Sequence, residues 1–281
     1  SRQIRERLDR ELKSNMALRV KDTDDDTIFE VSGRGELHLT ILVETMRREG
    51  YELAVSRPRV VIKDVNGEKQ EPYELLTVDV EEANQGAIME ALGARRGDLQ
   101  DMQPDGRGRV RLEYRVPALG LIGFQGEFLN LTRGTGIMNR LFEKYGPHKG
   151  PIEGRKNGVL ISNGAGEANA YALGPLEERG ILFVGHGEAL YEGMIIGENA
   201  RRDDMDVNPT KEKKLTNVRA SSAEELERLT PPRLMNLEQA LEFIADDECV
   251  EVTPGNVRLR KVVLDQGERA RLAKARKGPR A

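Results

Sequence analysis

Five Gly-x-Gly pairs punctuate the chain, at Gly33/Gly35, Gly106/Gly108, Gly134/Gly136, Gly164/Gly166 and Gly185/Gly187. A dinucleotide fingerprint needs a third glycine so that backbone can approach a pyrophosphate, and a P-loop needs Lys-Ser/Thr after its glycines. None of the five continues in either way, so each reads as a turn. Ser32 and Ser162 could serve as nucleophiles and His38, His148 and His186 as bases, but no nucleophile elbow surrounds either serine. His38 lies on a polar position of a helical pattern, and His186 stands between two glycines where a strand ends. Asp203, Asp204 and Asp206 lack the spacing and terminal glutamate of a calcium loop. They read as charges that keep a basic segment soluble. No catalytic residue and no metal-ligand set is assigned.

Phosphate contact is the chemistry that the residue types do support. Segment 201–219 brings Arg201, Arg202, Lys211, Lys213, Lys214 and Arg219 together with Asn199, Asn208, Thr216 and Asn217. Guanidinium and ammonium groups bind phosphate oxygens, while amides and hydroxyls reach 2′-hydroxyls or base edges. A flexible loop of this composition can follow an irregular RNA surface and order on binding.

Composition narrows the classes further. Of 281 residues, 38% are hydrophobic and 33% charged, enough for buried cores under a highly charged surface. No run approaches the roughly 18 apolar residues of a membrane helix, and no signal peptide is visible. One cysteine, Cys249, excludes an internal disulfide and a thiolate cluster, and fits a reducing, cytoplasmic setting. Aromatic residues are 4% with no tryptophan, too few for stacking platforms on single-stranded nucleic acid. The net charge of −4 conceals segregation: acids dominate 221–251, while bases dominate 133–156 and the tail from Arg258. Basic stretches can therefore meet phosphates while the whole chain stays acidic. A protein–protein scaffold, with the acidic face and basic tail pairing with each other or with partners, is one alternative. A small-molecule enzyme domain using His186 or His148 is another, and it requires a deep pocket around one of those rings.

The elements that must position these residues follow from periodicity. Residues 3–15 place Ile4, Leu8 and Leu12 at helical spacing; strands follow at 16–21 and 27–32, a helix at 36–48, and strands at 51–55 and 60–65. This αββαβ order predicts one sheet under two helices, a split βαβ unit. A second, βαββαβ, is predicted from a strand at 75–81, a helix at 85–92, a hairpin of 99–103 and 109–116, a helix at 121–131 and a strand at 136–142. Beyond about Gly146 short strands at 159–162, 169–172, 181–184 and 194–196 predict a small, mostly β domain. Residues 200–220 read as a long exposed loop, 236–244 as a helix, 249–253 and 257–264 as a hairpin, and the basic end as a helix. The expected architecture is α+β, in three domains at 1–68, 69–148 and 149–281. The start at Ser1, inside a helical pattern, reads as a fragment of a longer protein.

Several stretches carry a resemblance. VSGRGELHL at 31–39 resembles the third domain of translational GTPases such as elongation factor G and LepA, and 72–102 resembles the start of their fifth domain. RVPALGLIGFQGEFLNLTRGTGIMN at 115–139, GHGEALYEGMIIGENAR at 185–201 and KKLTNVRAS at 213–221 resemble the BipA/TypA family, over essentially the whole chain. The resemblance implies two ferredoxin-like domains, of the domain III and V type, and a C-terminal domain particular to that family. It implies that the G domain, with its GTP and Mg²⁺, is missing, so that this fragment has no cofactor and no GTPase activity of its own. It further implies a ribosome-binding role tied to large-subunit assembly and to cold and stress adaptation. The partners implied are 23S rRNA and the acceptor end of A-site tRNA for the 200–220 loop. For the domain V-like part, at Arg95, Arg96, Arg107 and Arg133, they are the L11 stalk and sarcin-ricin region.

Overall fold

Ile4, Leu8 and Leu12 line the inner face of α1 (Arg2–Ser14), and with Leu18, Leu42 and Met46 they close a small apolar core. The computed structural model describes residues 1–150, 152, 154–212 and 229–276. β1 (Arg19–Asp22) and β2 (Phe29–Ser32) form an antiparallel hairpin in which Val20 faces Val31. α2 (Glu36–Arg48) follows with the predicted bounds, and β3 (Leu53–Ser56) comes next. The sequence pattern predicts that β3 shares a sheet with β1 and β2. It pairs instead with a strand some 190 residues further on, because its alternating Leu53 and Val55 complete an apolar layer there.

The chain divides into two units, one of Ser1–Arg57 with Arg155–Ala281 and one of Pro58–Gly154. In the second, β4 (Lys63–Val65) turns through Asn66 and Gly67, both at positive φ, into the long β5 (Glu68–Glu81). α3 (Gln85–Ala94), β6 (Asp98–Pro104), β7 (Arg109–Pro117), α4 (Ala118–Leu121), α5 (Phe124–Leu131) and β8 (Ile137–Pro147) complete it. The strands lie in the order β8-β5-β7-β6, all antiparallel, with β4 added to β5. Neighbouring first and last strands of a βαββαβ chain are the mark of the split βαβ unit. Leu76, Val78 and Val80 alternate toward Leu112, Tyr114 and Val116 and are covered by Ile88, Leu92, Phe124 and Phe128 from the helices. The helix predicted over 121–131 is two helices, broken where Gly123 takes a left-handed conformation (φ 73°).

The rest of the first unit contains β9 (Val159–Ser162), β10 (Gly166–Glu167), α6 (Ala170–Glu177), β11 (Gly180–Leu182), β12 (Ala189–Leu190), β13 (Met194–Asn199) and β14 (Met205–Val207). It continues with α7 (Leu237–Phe243), β15 (Glu248–Val252), β16 (Val257–Lys261) and α8 (Gln266–Arg276). Seven strands form one sheet in the order β14-β9-β13-β16-β15-β3, with β11 also on β13. Two expectations change here. Residues 169–172 begin a helix, since the Asn169 side chain accepts the Ala172 N–H (2.9 Å) as an N-cap and Ala172, Leu173 and Leu176 bury one face. The 200–220 segment is not loop throughout, because its residues 205–207 add β14 in parallel to β9.

Candidate nucleic-acid interface

A phosphate-binding side chain must reach solvent with donors to offer. The four arginines singled out in the second unit do not come together. Arg95 and Arg96 follow α3 at the end of the sheet where β6 begins, while Arg107 and Arg133 sit at the other end, on the β6–β7 tip and in the turn after α5. Arg95 turns inward: its guanidinium donates to the Gly120 carbonyl (2.7 Å), the Ile122 carbonyl (3.2 Å) and Glu127 (2.7 Å), and stacks over Phe124. It ties the end of α3 to the α4–α5 turn. Arg96, at φ 60°, gives its carbonyl to the Lys149 ammonium. Arg107 and Arg133 are exposed. Arg109 holds their two turns at the same end by donating to Asp79 (2.6 Å) and, more weakly, to the Thr135 carbonyl (3.4 Å). Sequence reasoning passed over Arg109, whose only signal is its place at the start of a strand opposite an acidic residue.

In the first unit, Arg201 and Arg202 are exposed just past β13, and Lys211 is exposed after β14. The Lys211 carbonyl accepts from the Asn169 amide (3.1 Å), so the chain beyond β14 is tied to the cap of α6. Lys213, Lys214, Asn217 and Arg219 lie outside the described residues.

The aspartates of the same segment do more than solubilise it. Asp204 accepts from the Val159 N–H (2.9 Å) and from the Lys261 ammonium (2.6 Å), and Asp206 pairs with Arg269 of α8. Lys261 is almost fully buried and also meets Asp247 (3.0 Å) and Glu248 (2.9 Å), while Glu248 is held bidentately by Arg155 (2.9 and 3.0 Å). Burial pushes the Glu248 carboxyl up. The hydrogen bond and charge of Arg155, with the charge of Lys261, outweigh that and leave it below the ordinary carboxylate range. Burial pushes Lys261 down, but the Glu248 charge and the Asp204 hydrogen bond hold it above the usual lysine range. The acidic and basic stretches of the sequence thus meet inside the fold at these positions. In the 201–206 segment Asp204 and Asp206 are paired with Lys261 and Arg269, while Asp203, Arg201 and Arg202 are exposed.

The histidines have local roles. The Arg34 N–H donates to His38 Nδ1 (3.2 Å) ahead of α2, while the ring's Nε2 meets the Asn15 amide (2.9 Å). His148 Nδ1 lies 3.3 Å from the buried Glu71 carboxylate, which also accepts the Lys149 N–H (2.7 Å). His186 is exposed. Two cavities of about 530 and 360 Å³ lie in the first unit, and neither His148 nor His186 lines them. Among the described residues no group of three or more His, Cys, Asp or Glu side chains could hold a metal ion, and no helix is long and apolar enough to cross a membrane.

A split βαβ unit and a seven-stranded sheet that carries a basic segment make an α+β architecture. Residues 68–155 match the family model described as "Elongation factor G C-terminus", and residues 157–266 match "TypA/BipA C-terminal domain". Proteins named "Large ribosomal subunit assembly factor BipA" are similar to nearly the whole chain. The one from Salmonella typhimurium is 56% identical over 278 residues, 99% of this chain and 46% of its own length. That from Haemophilus influenzae is 56% identical over 272 residues, 96% of this chain and 44% of its own. That from Synechocystis sp. is 53% identical over 262 residues, 93% of this chain and 44% of its own. The chain belongs to the TypA/BipA family, and it spans about half the length of the curated relatives it matches.

Proposed function

We propose that the chain is the ribosome-docking part of a large-subunit assembly factor, organised as domain III-like (1–68), domain V-like (69–148) and family-specific C-terminal (149–281) portions. The observation that carries this reading is the division of charge in the 201–206 segment: Asp204 and Asp206 pair inward with Lys261 and Arg269, while Arg201 and Arg202 stay exposed. The names of the similar proteins supply the partner. Docking works by shape and charge, with no covalent chemistry in this chain and no cofactor of its own. GTP and Mg²⁺ belong to a further part of the whole protein, since no P-loop occurs in this sequence to receive them.

The 200–220 segment, through Arg201, Arg202, Lys211, Lys213, Lys214, Asn217 and Arg219, reaches 23S rRNA and the acceptor end of A-site tRNA. Arg107 and Arg133, at one end of the other unit, face the L11 stalk and sarcin-ricin region. Arg96 contributes from the opposite end of that sheet, and Arg95 contributes indirectly by fixing the α4–α5 turn. The setting is the cytoplasm, and the whole protein serves subunit assembly and adaptation to cold and stress.

Co-sedimentation with purified ribosomes across a salt series tests this. Wild-type binding should weaken steeply as salt rises, through loss of counterion release. Alanine at Lys213, Lys214 and Arg219 together should weaken it further without lowering the unfolding temperature. Binding that is indifferent both to salt and to this variant would overturn the reading.

A further inference from the structure

Three stretches distant in sequence meet at one end of the seven-stranded sheet. The Gly158 N–H donates to the Arg201 carbonyl (2.8 Å), the Asn199 N–H to the Gly158 carbonyl (2.9 Å), and the Ala200 N–H to the Arg179 carbonyl (2.8 Å). Glycine is what lets them approach. A Cβ on Gly158 would stand 2.2 Å from the Asp203 carbonyl oxygen, and one on Gly180 would stand 1.9 Å from that of Glu198. The backbone is thereby drawn tight beneath four exposed cations, Lys156, Arg179, Arg201 and Arg202.

The nearby acids balance these cations only in part. Asp204 is paired with Lys261, which it shares with Asp247 and Glu248, and Glu198 is held by Arg233 (3.2 Å) and the Asn157 amide (3.2 Å). Glu178 and Asp203 are exposed in the same stretches, two acids against the four exposed cations. Arg179 touches Met205 Sδ (3.7 Å) and, among the described residues, no carboxylate. Like charges crowded on a rigid base repel one another and gain when a polyanion covers them.

We infer that Lys156, Arg179, Arg201 and Arg202 form a preassembled contact for the phosphate backbone of RNA, at the fixed root of the 200–220 segment and separate from its outer part. This rests on the ribosome-docking reading and extends it to Lys156 and Arg179. A rigid patch of this kind sets where the segment enters the RNA, and binding there orders side chains but no further backbone.

The test compares the chain with its Lys156→Ala/Arg179→Ala variant, on purified large subunits and on protein-free rRNA, between about 50 and 200 mM salt. With two fewer cations against phosphate, the variant's affinity should fall about tenfold less than the wild type's over that range, on both probes. Its unfolding midpoint should stay where the wild type's is. Identical salt slopes for variant and wild type, with the wild type binding, would overturn the patch while leaving the docking reading intact. A difference on subunits but not on rRNA would assign the patch to an acidic protein and overturn the RNA contact. Failure of the wild type to bind either probe would remove the docking reading and the patch together.

Discussion

Lys261 is the residue whose chemistry is least like its position. A lysine ammonium buried on a sheet strand is tolerated because Asp204, Asp247 and Glu248 surround it and Arg155 completes the charge balance at Glu248. Replacing Lys261 by Met keeps the volume but leaves buried Glu248 and its neighbours short of a cation, so it should cost about 3–5 kcal/mol in urea unfolding. The pH dependence has a definite sign. Glu248 is held below its ordinary range, so its contribution is present above about pH 4.3 and fades as pH falls through its folded value. Lys261 is held above its range, so its contribution is present below about pH 10.4 and fades as pH rises through its folded value. Glu248→Gln should therefore lower stability at neutral pH and flatten the acid limb of the stability curve. Acid limbs that run parallel for variant and wild type would show that Glu248 is not the group titrating there.

At the scale of elements, α6 shows how one side chain can serve two structures. Asn169 caps the helix through its oxygen and ties down the chain after β14 through its amide nitrogen. Asn169→Ala removes both and should cost about 1 kcal/mol, while Asn169→Asp keeps the capping acceptor and loses only the bond to the Lys211 carbonyl. Thermal melts should place the Asp variant near wild type and the Ala variant several degrees lower. Hydrogen exchange at 208–212 should rise in both, and protection there unchanged in the Asp variant would refute the tie.

The same helix marks where the sequence was legible. α1, α2, α3 and the β6–β7 and β15–β16 hairpins follow from apolar spacing and from turn pairs such as Pro254-Gly255, because their periodicity runs unbroken over several turns or strand residues. α6 was hidden because Gly174 and Pro175 read as breakers within a two-turn helix, and its cap, not its period, is what declares it. The site was half legible. Arg201 and Arg202 are solvent-facing as their composition suggests, yet nothing in the order of residues says that Arg95 turns onto Glu127 or that Asp204 finds Lys261, 57 residues away. Those pairings are decided by tertiary packing.

The whole molecule is assembled out of sequence order, and that decides which pieces can stand alone. The core of Pro58–Gly154 is drawn wholly from its own residues. The sheet of the other unit is not drawn only from 155 onward: β3 pairs with β15 from Cys249↔Ser56 to Val252↔Leu53, and Val43 of α2 packs with Val159, Leu237 and Val250. Expressed separately, residues 58–154 should unfold cooperatively in urea with a protected β5–β7 pair. Residues 155–281 alone would expose the edge of β15 and the apolar side chains that Val43, Leu53 and Val55 cover, a surface prone to strand-edge association. That piece should therefore show weakened protection at Cys249–Val252 and a tendency to aggregate, both reversed by supplying residues 1–57 in trans. If 155–281 alone reached the stability it has in the intact chain, β3 and α2 would be ornaments on that sheet; a stable complex with 1–57 would make them part of its core.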